Sequence, residues 1–223
     1  MTAAAPILVA RDLVKTYDQG RVRALDGLDL EVHAGEFVSV IGPSGSGKST
    51  LLHMLGALDR PDSGQVLLDG QDLAQVRRLD RVRARSIGFI FQLHNLLPTL
   101  TALENVELPL RALGLDRRER AERARALLDA VDLPDRTGHR PAELSGGQRQ
   151  RVAVARALVN DPKVVLADEP TGDLDQAAGR RVMDLLWRLR EERGLTIVLV
   201  THDLESAARA QRTIRILDGK VLD

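Results

Sequence analysis

The sequence predicts an α/β fold: a mixed sheet, an antiparallel β subdomain at the N-terminus and an inserted helical subdomain. Three observations carry this. Short apolar runs broken by turn residues fill Ile7 to Val40; a buried run, Phe37 to Ile41, leads through a glycine-rich loop into helical spacing; and two β-branched runs, Val164 to Ala167 and Thr196 to Val200, each precede a helical pattern. Strands that alternate with helices read as parallel strands in a covered sheet, whereas runs split by turns read as antiparallel neighbours.

Taken in order, Asp18-Gln19-Gly20 and Ala34-Gly35 supply the turn chemistry between the first strands. Ser49 to Ala57 carries apolar residues at helical spacing. Asn95 to Arg140 reads as helical, because Thr101 with Glu104 forms a capping-box pattern and Asp116 to Val131 has one apolar and one charged face. Gly146 and Gly147 open a further helix through Arg151, Val154 and Leu158, and Arg212 to Leu222 supplies closing strands. Arg77, Arg78, Arg81, Arg83 and Arg85, interleaved with Leu79, Asp80 and Val82, read as a solvated helix face. Trp187, at helical spacing with Met183 and Arg190, reads as packing.

The chain of 223 residues suits one α/β domain with an insertion. Its 32 basic residues balance 32 acidic ones, so no overall field favours a nucleic acid. The absence of cysteine excludes disulfides and thiolate metal sites, and is compatible with a reducing compartment. No apolar run approaches the ~18–20 residues that cross a bilayer. The opening MTAAAPILVARD lacks the basic start and apolar stretch of a signal peptide.

The chemistry begins at Gly42-Pro43-Ser44-Gly45-Ser46-Gly47-Lys48-Ser49, a complete G-x-x-x-x-G-K-[ST] between a strand and a helix. Glycines let the backbone curl so that successive N–H groups face phosphate oxygens, and the helix start adds its positive dipole end. Lys48 is expected to reach the β- and γ-phosphates, and Ser49 to offer its hydroxyl to magnesium. Val164 to Ala167 then runs into Asp168-Glu169, paired acids where open α/β sheets place their ligands. Asp168 is expected to hold magnesium and Glu169 to polarise the attacking water. Leu144-Ser145-Gly146-Gly147-Gln148 is a second helix start suited to anionic oxygens.

With these three motifs in this order, the chain resembles the nucleotide-binding subunits of ABC-type ATPases. Gln92, the Leu144 to Gln148 signature, Asp173-Leu174-Asp175 and His202 follow the family's order and approximate spacing. The resemblance implies a P-loop NTPase core at 1–93 and 160–223 and a helical subdomain at 94–159. It implies that Gly42, Ser44, Gly45, Ser46, Gly47, Lys48, Ser49 and Thr50 bind the nucleotide phosphates, that Ser49, Gln92 and Asp168 hold Mg2+, and that Glu169, Gln92 and His202 serve hydrolysis. Tyr17 matches the aromatic that stacks on adenine. In the family, Ser145 and Gly147 of one subunit contact the γ-phosphate held by its partner, and Asp173 crosses the dimer interface; Asp175 equally suits an N-cap.

Phe91 to Val106 and Ala167 to Gly172 look like the corresponding regions of the lipoprotein-release and macrolide-export ATPases, the LolD and MacB type. The resemblance implies an ATP- and Mg2+-dependent homodimer, cytoplasmic and peripheral to the membrane, that drives separate membrane-spanning permease subunits. Its alternative is a mechanical switch on a membrane complex, as in the cell-division ATPase. The chain ends soon after His202, which leaves no room for an appended regulatory domain. His33, His53, His94 and His139 show no metal-ligand spacing. Leu96-Leu97-Pro98, apolar in a predicted loop after Gln92, is the expected docking surface.

Overall fold

A computed structural model describes residues 5–222. Met1–Ala4, the first residues of the stretch read as lacking a leader, and Asp223 lie outside the described residues. The order of elements is β1 (Pro6–Tyr17), β2 (Val22–His33), β3 (Phe37–Ile41), α1 (Lys48–Leu55), β4 (Ser63–Leu68), β5 (Gln71–Asp72), α2 (Leu79–Ser86), β6 (Ile87–Phe91), α3 (Ala102–Glu107), α4 (Arg117–Ala130), α5 (Gly146–Leu158), β7 (Val164–Asp168), α6 (Gln176–Arg193), β8 (Ile197–Val200), α7 (Leu204–Ala207), β9 (Arg212–Leu217) and β10 (Lys220–Leu222). Cα proximity divides the chain into two units, Met1–Leu79 with Arg190–Asp223, and Asp80–Leu189. The expected helical segment, 94–159, falls inside the second.

In the first unit, β2-β1-β4-β5 form an antiparallel sheet. From Gly27 onward β2 alternates strictly, with Leu28, Leu30 and Val32 buried and Gly27, Asp29 and Glu31 exposed. That period of two turns one face to the core and the other to water. β3 and β8 are buried along their whole length and pair in parallel, β3 also pairs in parallel with β9, and β9 returns antiparallel to β10. A strand covered on both faces has no reason to alternate, so Phe37 to Ile41 reads as one apolar run. α1 packs on β1, β2 and β8 through Leu51, Leu52, Met54 and Leu55. Arg212 donates to both carboxylate oxygens of Glu36, at 2.7 and 3.3 Å, which joins the start of β9 to that of β3. Burial raises the Glu36 pKa, but the Arg212 guanidinium and the His33 N–H together outweigh it and hold the carboxyl below its ordinary value.

In the second unit, β6 and β7 pair in parallel and α5 packs on β6, while α3, α4 and α5 pack on one another. Gly88 allows the approach of α5, since a β-carbon there would lie 2.2 Å from the Ala157 carbonyl oxygen. Thr101 and Glu104 form the expected capping box at α3, and Asp116 caps α4 through the Glu119 N–H. Arg151 donates to the carbonyls of Val131 and Asp132, and Arg188 to that of Ala130, so two cations close the negative end of α4. Arg81, Arg83 and Arg85 lie on α2, which buries none of its residues, whereas Arg77 and Arg78 precede that helix rather than share its face.

Asn105 organises the chain after Gln92. Its side chain is fully buried, accepts from the Leu97 N–H at 2.8 Å and donates to the carbonyls of Leu97, Leu100 and Thr101. Asn105→Ala strands these backbone groups away from water and is expected to cost on the order of 3 kcal/mol. A urea titration reads this as a lower midpoint at unchanged slope.

Candidate active site

The phosphate loop leaves β3 at Ile41 and ends where Gly47, with φ of 101°, caps α1 without any side-chain bond. Its glycines answer different demands. A β-carbon on Gly42 would lie 2.1 Å from the Ile216 carbonyl oxygen, and one on Gly47 would lie 2.2 Å from that of Ala24. Gly45, in open space, is required by its φ of 79°. The Gly219 N–H donates to the Ser46 carbonyl, which ties the loop to the β9–β10 turn. Lys48 is 8% exposed, and its ammonium donates to the carbonyls of Gly42 and Pro43 at 2.9 and 2.8 Å. Ser44, Gly45 and Ser49 are exposed, Thr50 is half-buried, and the buried Ser46 hydroxyl has no protein partner among the described residues. An orphaned hydroxyl, glycines packed too tightly for a side chain and an uncapped helix start together fit a phosphate chain.

Two further residues stand in the same unit. Val40 lies opposite Val200 in the parallel pairing, so Gly42 and His202 leave the sheet at the same strand ends. His202 is exposed, held between Thr201, whose hydroxyl accepts from the Asp203 N–H, and Asp203, which caps α7 through the N–H groups of Glu205 and Ser206. Tyr17 closes β1 and is 38% exposed.

The second unit carries the acids and the signature. Phe91 pairs with Asp168, so Gln92 and Glu169 lie abreast just past the strand ends. A β-carbon on Gly172 would meet the Gln92 amide nitrogen at 2.9 Å, which brings the side chain of Gln92 against the turn that follows Glu169. Glu169 adopts a φ of 46°, a left-handed conformation that it shares with other turn residues of this chain such as Asp69 and Asp161. Ser145 caps α5 in a capping box: its hydroxyl accepts from the Gln148 N–H, and the Gln148 side chain accepts from the Ser145 N–H. Asp175 does cap α6, accepting from the Ala178 N–H at 2.8 Å. Ser145, Gly147 and Asp173 line one cavity of about 440 Å³ together with Arg149, Ala178 and Arg181.

Three of these features escape the sequence reading. Arg149 and Arg181 make the cavity basic; Arg181 stands three residues after Ala178 on α6, a helical spacing that points both inward to the same cavity. His94, one of the four histidines without metal-ligand spacing, is buried. It is 5% exposed, beside Arg149 and Asp173, and burial lowers its pKa, with Arg149 adding to that effect and Asp173 opposing it. The apolar surface after Gln92 is also shifted. Leu96 is half-buried, whereas Leu93 and Leu97 are 70% and 47% exposed. Asn105 fixes the backbone at Leu97, and Arg156 donates to the carbonyls of His94 and Asn95, which turns this loop over between the exposed leucines.

The chain is similar to known proteins along nearly its whole length. The ABC transporter family model matches residues 25–172. The macrolide export ATP-binding/permease protein MacB of Brucella melitensis is 50% identical over 99% of this chain, which spans only 34% of that protein. The lipoprotein-releasing system ATP-binding protein LolD of Syntrophus aciditrophicus is 46% identical, covering 97% of this chain and 99% of that one. A dimeric post-hydrolysis structure of the ATP-binding cassette MJ0796 bound to ADP and Pi matches with a TM-score of 0.88 and 45% identity, over 97% of each chain. With a phosphate loop, paired acids at a strand end and a capped signature helix in family order, the chain belongs to the ABC transporter family as an ATP-binding, ATP-hydrolysing cassette similar to LolD and MacB.

Proposed function

We propose that two copies of this chain close around ATP and drive a separate membrane-spanning permease, bound to it at the cytoplasmic face of the membrane. The observation that carries the dimer is the second anion site: an α5 helix start, Ser145 and Gly147, opening with Arg149 and Arg181 into the cavity beside Asp173. A helix N-terminus lined by guanidinium groups suits a terminal phosphate, and the phosphate loop already supplies one such start for the nucleotide it holds. The signature of each copy therefore completes the site of the other, as the dimeric form of MJ0796 supports. The functional division that follows is a nucleotide core, 1–93 and 160–223, and a helical subdomain, 94–159.

Within each site Tyr17 stacks on adenine, Gly42 to Thr50 cradle the phosphates and Lys48 neutralises the β- and γ-oxygens. Glu169 takes the proton of the attacking water as its oxygen bonds to the γ-phosphorus and the β–γ bridging bond breaks, which yields ADP and Pi. His202 steadies the γ-phosphate. Ser49, Gln92 and Asp168 offer hard oxygen donors suited to Mg2+, which supplies charge neutralisation on the phosphates when bound.

The permease docks on Leu93 and Leu97. These exposed apolar side chains flank the segment that Arg156 holds through the carbonyls of His94 and Asn95, and begin one residue after Gln92. Among the described residues no helix is long and apolar enough to cross a membrane. Leu93→Asp with Leu97→Asp is expected to leave ATP hydrolysis by the isolated chain within about twofold and to abolish its stimulation by permease subunits in lipid vesicles. Full stimulation of the double variant would move the docking surface elsewhere.

A further inference from the structure

Beneath Tyr17 lies a closed ionic cluster that none of the ATPase motifs uses. Lys15 and Tyr17 are two residues apart on β1 and so share a face of the strand. The Lys15 side chain is 11% exposed, and its ammonium lies 2.9 Å from the Asp59 carboxylate and 3.8 Å from that of Asp62. It also donates to the Arg60 carbonyl at 2.8 Å and sits 5.4 Å from the centre of the Tyr17 ring. Asp59 is itself fixed by the Arg60 N–H and lies 3.5 Å from the Tyr17 hydroxyl. Asp62 accepts from both the N–H and the hydroxyl of Thr16, each at 2.7 Å. Neighbouring carboxylates thus hold the cation in place on both sides, and the hydrogen bond to Asp59 leads the effects that raise the Lys15 pKa.

We infer that Lys15 is a positioning residue for the nucleotide base: its ammonium, locked by Asp59 and Asp62, fixes the Tyr17 ring from one face and presents the other face to adenine. The inference rests on the reading of Tyr17 as the adenine platform. A cation within about 6 Å of a ring centre is attracted to the π-face. It draws π density toward itself, which reduces the quadrupole repulsion that a second aromatic meets when it stacks on the opposite side. The same contacts hold a 38%-exposed side chain at a strand end in one orientation, so the base meets an ordered surface. Arg60 and Asp62 belong to the turn after α1, and through Lys15 that turn becomes part of the base site. The alternative is that the cluster only staples this turn to β1.

Calorimetric titration of the full chain with ADP and with inorganic pyrophosphate separates the two, because pyrophosphate has no base. Lys15→Met is expected to weaken ADP binding about three- to tenfold, to leave pyrophosphate binding unchanged, and to raise the KM for ATP with kcat within about twofold. Lys15→Arg, which keeps a cation over the ring, restores most of the ADP affinity. In a Tyr17→Ala background Lys15→Met adds no further loss, since the lysine acts only through the ring. Equal weakening of ADP and pyrophosphate, or an undiminished loss in the Tyr17→Ala background, assigns the cluster to stapling and overturns the inference. Normal ADP binding by Tyr17→Ala instead removes the adenine platform itself, and normal binding by Lys15→Met with weak binding by Tyr17→Ala removes the role of Lys15 alone.

Discussion

Glu169→Gln is expected to lower the hydrolysis rate by about a hundred- to ten-thousandfold, the range that a positioned general base supplies. The substitution keeps the shape and the hydrogen-bonding reach of the side chain and removes only its ability to take a proton. ATP binding therefore survives, and the variant accumulates as a dimer with ATP enclosed. Two measurements read this: steady-state phosphate release, and size-exclusion chromatography with light scattering at saturating ATP and Mg2+. A variant that stays monomeric under those conditions and turns over at the unaltered rate contradicts both the base and the shared site. The left-handed φ of Glu169 makes glutamine the informative replacement, because it preserves the backbone preferences of the position far better than a β-branched residue would.

Lys48→Ala acts earlier in the cycle. The ammonium is 8% exposed and already turned over the loop, bonded to the carbonyls of Gly42 and Pro43. Its loss removes charge-assisted contacts to two phosphate groups, on the order of 3 kcal/mol or more, which is about a hundredfold or greater in affinity. It also leaves those two carbonyls without their donor, so a modest fall in thermal stability accompanies it. Titration calorimetry with ATP checks the expectation, and unchanged affinity would refute the placement of the phosphates over Lys48.

Much of the fold is legible because its signals are local. The capping boxes at Thr101 and Ser145 and the N-caps at Asp116 and Asp175 need only a few consecutive residues, and all four form. The buried runs at Phe37 and Val164 are equally self-contained. Features that depend on a distant partner leave no such trace. Nothing around Gly42 names the Ile216 carbonyl that forbids a side chain there, and nothing around Gly47 names Ala24. The burial of His94 within the electrostatic reach of Arg149 and Asp173 depends on three segments meeting, so its spacing from other histidines says nothing about it. The exposure of the stretch after Gln92 is hidden for the same reason: the apolar run Leu96-Leu97 is visible in sequence, but which leucines face solvent is set by Asn105 and Arg156 from two different helices.

The contacts that hold the phosphate loop also bear on how tightly it grips. Gly42 against Ile216, Gly47 against Ala24 and the Gly219 N–H on the Ser46 carbonyl all lie within the protein, and none involves the nucleotide. The loop is therefore preorganised: its backbone entropy is lost on folding rather than on binding. Affinity for the triphosphate then reflects the contacts it makes, with little deducted for ordering the groups that make them. After the γ-phosphate departs, the same cradle still fits ADP, so on the proposed two-copy arrangement product release is expected to follow reopening of the dimer rather than loosening of the loop.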